Sequence, residues 1–234
     1  MNKNYYLKEI EKIKNYLEPF GNERNRIGMQ RFGIRFEKAY GVNIPVLRKL
    51  AKEYKPNHEL ALELWETKIH ELMLLAIFID DYKKVTKSQM NKWAKDFASW
   101  DICDQCCSNL FDKTPYAFDK IFEWTKSKEE FIKRAGFVLM ATISVHNKKI
   151  EDVELLDFFP VMEREAFDDR NFVKKAVNWA LRQMGKRSRF LFGEAVEVAE
   201  RIAKQNSKSA KWIAKDALRE FNIKKDIYWK KRTK

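Results

Sequence analysis

The sequence predicts an all-α fold, a solenoid built from antiparallel helix pairs. Three observations predict it. Apolar residues recur with helical spacing from one end of the chain to the other, and no segment sustains the period-two alternation of a strand. Only 7 Gly and 5 Pro occur in 234 residues, too few turn residues for a sandwich or barrel of many short strands. Segments about 40 residues apart also resemble one another. Phe131–Met140 matches Phe172–Leu181 in register at an offset of 41, and Ala180-Leu181-Arg182 recurs as Ala217-Leu218-Arg219 at an offset of 37.

The elements follow in order. Tyr6, Ile10, Ile13 and Leu17 form one apolar stripe. Pro45 suits the first position of a helix carrying Val46, Leu47 and Leu50. Asn57 can cap the helix that carries Leu60 and Leu64. Leu72 to Ile79 is continuously apolar between Glu71 and Asp80, too short to cross a bilayer, and reads as a buried helix. Thr86 with Gln89, and Ser127 with Glu130, fit capping boxes. Met90, Trp93, Ala94 and Phe97 make a second stripe, and Val196, Ala199 and Ala203 a late one. Breaks are expected near Gly21, Pro56, Lys113 to Pro115, Asn147 to Ile150, Gly185 to Ser188, and Asn206-Ser207.

A repeat of about 40 residues, each a helix pair, is the signature of HEAT-like solenoids. One pair cannot bury its apolar face alone, so neighbours stack. The expectation is a single domain over 1–234 with a basic C-terminal tail at about 222–234. Its inner helices, lining a concave surface, carry Lys133, Arg134, Lys174, Lys175, Arg182, Lys211 and Lys215. The net charge of +13 points to a polyanionic partner, most often nucleic acid. A basic concavity suits a phosphate backbone.

Cys103, Cys106 and Cys107 include a lone CxxC with no second ligand pair, so no metal site is expected. They read as small buried residues of a reducing compartment. The first residues carry no apolar run of signal-peptide type, which predicts a cytoplasmic protein.

The segment Ser99-Trp100-Asp101-Ile102-Cys103-Asp104 is the most informative. Trp100 and Asp104, four apart, share one helix face close to a helix start. On spacing alone, Asp104 is equally an ordinary carboxylate of a first turn capped by Ser99 or Asp101. Trp100 and Trp179 are equally core residues, and Arg134 and Lys175 a solvated basic face. Asn178, polar beside Trp179, suggests a face that is not wholly buried.

Taken in order, these pieces resemble the AlkD family of bacterial alkylpurine DNA glycosylases. The match runs through Met29–Phe36, Gly41–Arg48, Leu64-Trp65, His70-Glu71, Ser99–Asp104, Lys133-Arg134-Ala135 and Lys175–Arg182. The resemblance implies a HEAT-like fold, double-stranded DNA with alkylated purines as substrate, and no cofactor. It also implies no obligate protein partner, a monomer, and a lesion that stays largely in the stack. It makes Asp104 the catalytic carboxylate and Trp100 and Trp179 the pair that flanks the deoxyribose. Arg134 becomes the arginine beside them, and Arg48 and Arg182 phosphate contacts, with Lys133 and Lys175 on the same basic helices. Phe32 stands where a tyrosine is common, and Asn43-Ile44 replaces a more polar pair, so DNA contacts there differ in detail. The competing readings are a non-catalytic HEAT-repeat protein that binds DNA structures and a solenoid for an acidic protein.

Overall fold

The computed structural model describes residues 3–230, with side chains described for 4–223. The described residues form thirteen α-helices and no strand; a single bridge joins Lys38 to Ile69. The all-α repeat architecture is therefore as the sequence predicts. The chain divides into two compact units, Met1–Thr114 and Pro115–Lys234.

The first unit holds α1 (Lys3–Leu17), α2 (Glu23–Arg31), α3 (Ile44–Tyr54), α4 (His58–Glu66), α5 (His70–Ile79), α6 (Lys87–Lys95) and α7 (Trp100–Asn109). The α1 stripe is buried as its spacing requires. Asn57 caps α4 through Leu60 N, and Thr86 caps α6 through Gln89 N. Helix α5 is buried on nearly every side, so its apolar run serves the core of the unit. Trp65 and Trp93 stack in parallel at 4.0 Å. The Trp65 indole donates to Asp96 at 2.7 Å, which satisfies its one polar atom. Cys103, Cys106 and Cys107 are fully buried within α7.

The second unit holds α8 (Ala117–Trp124), α9 (Glu130–His146), α10 (Phe158–Glu165), α11 (Asn171–Arg187), α12 (Arg189–Ala203) and α13 (Lys208–Lys230). Helices α9, α11 and α13 are successive neighbours. Their repeat register is explicit: Phe131 and Phe172 meet ring to ring at 5.3 Å, and Phe172 N donates to Glu130 Oε1. Arg187 fixes the loop after α9, donating to the carbonyls of Ser144, Asn147 and Ile150 and to Asp152.

Three local expectations are corrected. The Ser127–Glu130 box does not form; Ser127 Oγ accepts from Glu129 N, and α9 begins at Glu130 without a side-chain cap. The break expected near Gly185 to Ser188 falls at Ser188, between α11 and α12, and Gly185 itself lies inside the last turn of α11. A Cβ there would lie 2.7 Å from the Phe221 ring, so this glycine permits close packing of α13. On α12 the buried stripe is Leu191, Ala195, Val198, Ala199 and Ile202; Val196 and Ala203 each follow a buried residue by one position, which turns them about 100° off the core face. The tail expected at 222–234 continues α13 as far as Lys230, and 231–234 lie outside the described residues.

Two glycines give opposite predictions. A Cβ at Gly136 of α9 would meet Thr125 Cγ2 at 2.7 Å and Thr125 N at 2.9 Å. Gly136→Ala is expected to destabilise by about 1–3 kcal/mol through overpacking. Gly193, exposed in α12, has open space around it. Gly193→Ala is expected to stabilise by about 0.5–1 kcal/mol through helix propensity. Urea unfolding midpoints of the two variants should move in opposite directions.

Candidate functional site

In the first unit the site is assembled by two consecutive residues at the start of α5. The Glu71 carboxylate is buried and accepts three backbone N–H groups: Tyr40 at 2.9 Å, Gly41 at 2.7 Å and Val42 at 3.2 Å. Gly41 is required there. Its φ is 79°, and a Cβ would lie 2.2 Å from Asn22 O. Glu71 thus holds the segment between α2 and α3. His70 acts in the other direction: its Nε2 lies 2.9 Å from Asp101 Oδ2 in the first turn of α7. Burial pushes the Asp101 carboxyl up, but bonds from His70, Ser99 and Ile102 outweigh it and hold the group below its ordinary value. Ser99 therefore does not cap α7; its hydroxyl donates to Asp101 Oδ1 at 2.5 Å.

Between these two anchored segments lies a cleft of about 480 Å³. Its apolar wall includes Met29, Phe32, Ile34, Leu74 and Trp100; Arg24, Asn25, Asn43 and Gln105 supply polar groups. Trp100 is half-buried, and its indole N–H donates to Phe32 O at 2.9 Å. The Phe32 side chain is 76% exposed. Asn43 is exposed, and its Oδ1 accepts from Asn25 at 3.1 Å.

Asp104 is half-buried one turn beyond Trp100. It belongs to the second turn of α7; the first-turn acid is Asp101. Arg48 reaches α7 as well. Its guanidinium packs 4.5 Å from the Phe78 ring centroid and donates to Gln105 and Asn109. The first unit therefore gathers Phe32, Asn43, Arg48 and Trp100 around α2, α3 and α7.

The candidates of the second unit fare unequally. Trp179 is half-buried, whereas Val138 at the same repeat position is fully buried. Lys175 is exposed one turn before Trp179. Arg134 is buried, and its Nη1 donates to Phe172 O at 2.6 Å.

Lys133 departs from the expected basic face. Its ammonium is buried between Glu165 at 2.6 Å and Asp168 at 3.0 Å, because a cation out of water needs compensating charge. Arg182 is tied to Glu220, so much of its charge is spent within the unit. Asn178 is a further correction. It is buried, and its amide donates to Ile213 O at 3.2 Å.

The described residues form an all-helical repeat protein with a basic excess and an aromatic residue and a carboxylate one turn apart on α7, a HEAT-like architecture. Residues 13–221 match the DNA alkylation repair enzyme family, and the chain belongs to that family. It is 25% identical over 168 residues to the uncharacterized protein Lin0241 of Listeria innocua serovar 6a, covering 70% of this chain and 73% of that one. A solved structure superposes with a TM-score of 0.74 at 22% identity, covering 90% of this chain and 94% of the other. It is described as a new family of proteins related to the HEAT-like repeat DNA glycosylases with affinity for branched DNA structures. The two share the fold.

Two carboxylates of the second unit give the fold a pH signature. Burial opposes ionisation of Asp168, but Arg170 and Lys133 overcome it and bring its pKa to about 2 from 3.8. Burial likewise opposes ionisation of Glu220, and Lys186 and Arg182 bring it to about 2 from 4.5. Both values are depressed in the folded state, so the stabilisation is complete above the unfolded values. It is lost as pH falls from about 4.5 towards about 2. Urea midpoints measured through this window should fall. Asp168→Asn should be less stable than the parent at neutral pH and should converge with it at the acid end.

Proposed function

We propose that this chain is a DNA glycosylase that releases cationic N3- and N7-alkylated purines from duplex DNA, working as a monomer without metal or organic cofactor. One observation carries the reading. Trp100 is held half-exposed by its bond to Phe32 O, with Asp104 one turn further along α7, in a chain of the DNA alkylation repair enzyme family.

The chemistry follows from the substrate's charge. An N3- or N7-alkylated purine carries a positive charge, so it leaves with the electron pair of the C1′–N bond and becomes neutral. The strain passes to the sugar, which becomes oxocarbenium-like. A carboxylate near C1′ stabilises that charge, most strongly where water is excluded. Asp104 is assigned this role, together with orienting the water that adds to C1′. The indole faces of Trp100 and Trp179 are assigned to hold the deoxyribose and favour its developing charge. Arg134 steadies the backbone, and Arg48 and Lys175 contact phosphates. Selection rests on the charge of the lesion, so a deep pocket for an extruded base is unnecessary.

A second reading has one observation in its favour: the solved structure of matching fold is described by its affinity for branched DNA. In that reading the chain binds DNA without cutting the glycosidic bond. Asp104→Asn separates the two. The variant keeps shape but loses charge, so it should fold normally and bind DNA at least as well as the parent. Its release of N7-methylguanine should drop by about 10²-fold or more. Undiminished release in Asp104→Asn would remove the carboxylate from the mechanism.

Electrostatics gives a further prediction. Duplex affinity should fall with salt at a log–log slope of about −0.9 per phosphate contact. Arg48→Ala and Lys175→Ala should each make the slope shallower by about one contact. Lys133→Ala should leave the slope unchanged and lower stability instead, since its charge is already neutralised in the interior.

A further inference from the structure

Helix α13 carries an exposed aromatic that its core does not use. Its buried face is Ala210, Ile213, Ala214, Ala217 and Phe221. Trp212 stands off that face and is 40% exposed. Lys208, Trp212, Lys215 and Arg219 follow one another at helical spacing, and all four are exposed. From α11, the Lys174 ammonium reaches within 5.1 Å of the Trp212 ring centroid. Beside the indole, Lys215, Asp216 and Arg219 border a hollow of about 180 Å³. In the repeat register, Trp212 stands 37 positions after Lys175, at the position that Arg134 and Lys175 hold in the two preceding repeats. A cation has there been replaced by the side chain with the largest π-face.

An exposed indole among cations suits a ligand that combines negative charge with a free aromatic face. Duplex DNA offers the charge, but its bases are stacked on each other. An unpaired strand offers both: its bases stack on aromatic side chains irrespective of sequence, and its phosphates lie against lysine and arginine. Lys208 and Lys215 lie on either side of Trp212, about 10 Å apart along the helix axis. That spacing lets both meet the backbone of a strand whose base rests on the indole.

We propose that Trp212, with Lys174, Lys208, Lys215 and Arg219, is a second DNA site that captures an unpaired base next to a duplex, as at a single-stranded tail, gap or branch. The proposal rests on the reading of this chain as a DNA-binding protein, but not on its being a glycosylase. Within the α11–α13 pair, Asp216 pairs with Arg219 and approaches Arg182 at 3.9 Å. The single carboxylate bordering the hollow is thus engaged with cations.

The test uses the full chain and two fluorescent probes, a blunt duplex and the same duplex with a short oligothymidine tail. The parent should bind the tailed probe more tightly. Trp212→Ala and Trp212→Leu should weaken tailed binding by about 5-fold or more, while blunt-duplex affinity and base release stay unchanged. Trp212→Phe should recover most of the difference, because it keeps a ring. The leucine variant retains apolar bulk, so it separates stacking from stability should the alanine variant fold poorly. A parent with no preference for the tail, or variants that weaken both probes equally, would overturn the proposal. Base release measured in parallel reports on the glycosylase reading separately.

Discussion

The buried carboxylate of Glu71 is the constraint on which the first unit's cleft depends. Twelve residues separate α2 from α3, a long connection for a compact fold and one with little regular structure of its own. Glu71 gathers three of its N–H groups at the start of α5, where the helix dipole also favours negative charge. That bundle sets the path that carries Phe32 and Asn43. Phe32 O in turn receives the Trp100 indole. Because His70 grips Asp101 at the start of α7, two adjacent residues fix both walls of the cleft. Removing Glu71 would leave two buried donors and one half-buried donor to find new partners, a loss far larger than that of one surface ion pair.

The second unit uses the same economy of charge. Lys133, Glu165, Asp168 and Arg170 form a buried network that joins α9, α10 and the turn into α11. Arg182, Lys186 and Glu220 bind α11 to α13. The basic excess of the chain is therefore divided. Some cations bind helices together and are neutralised, while Arg48, Lys175, Lys208 and Lys215 remain exposed at the surface. Burial, more than sequence position, separates the two groups.

That division explains what could be read from the sequence. Helix existence was legible because the 3.6-residue stripe of α1 or α6 is enforced by burial, and the Asn57 and Thr86 caps because their partners lie three residues away. The break at Ser188 was legible, but the reason for Gly185 was not, because it is the Phe221 ring, contributed by a different helix. Asn178 and Lys133 were misread for the same reason: an amide or ammonium that points to a distant partner looks, in one dimension, like one that points to water. Trp100 and Asp104 stand out in the sequence through their spacing and a family pattern. The roles of His70 and Asp101 in holding them emerge only when α5 and α7 are seen side by side. Trp212 was overlooked among seven tryptophans, although the repeat offset that aligns Arg134 with Lys175 leads directly to it.

In the proposed mechanism the lesion's own positive charge activates the leaving group, and the Asp104 carboxylate is the partner of the charge left on the sugar. Single-turnover base release by the parent protein, from matched duplexes bearing either N7-methylguanine or uracil, tests this most directly. The proposed mechanism predicts release of N7-methylguanine well above its spontaneous rate and no acceleration for uracil, whose neutral base lacks the built-in charge. Equal acceleration of both bases, or none of either, would contradict it.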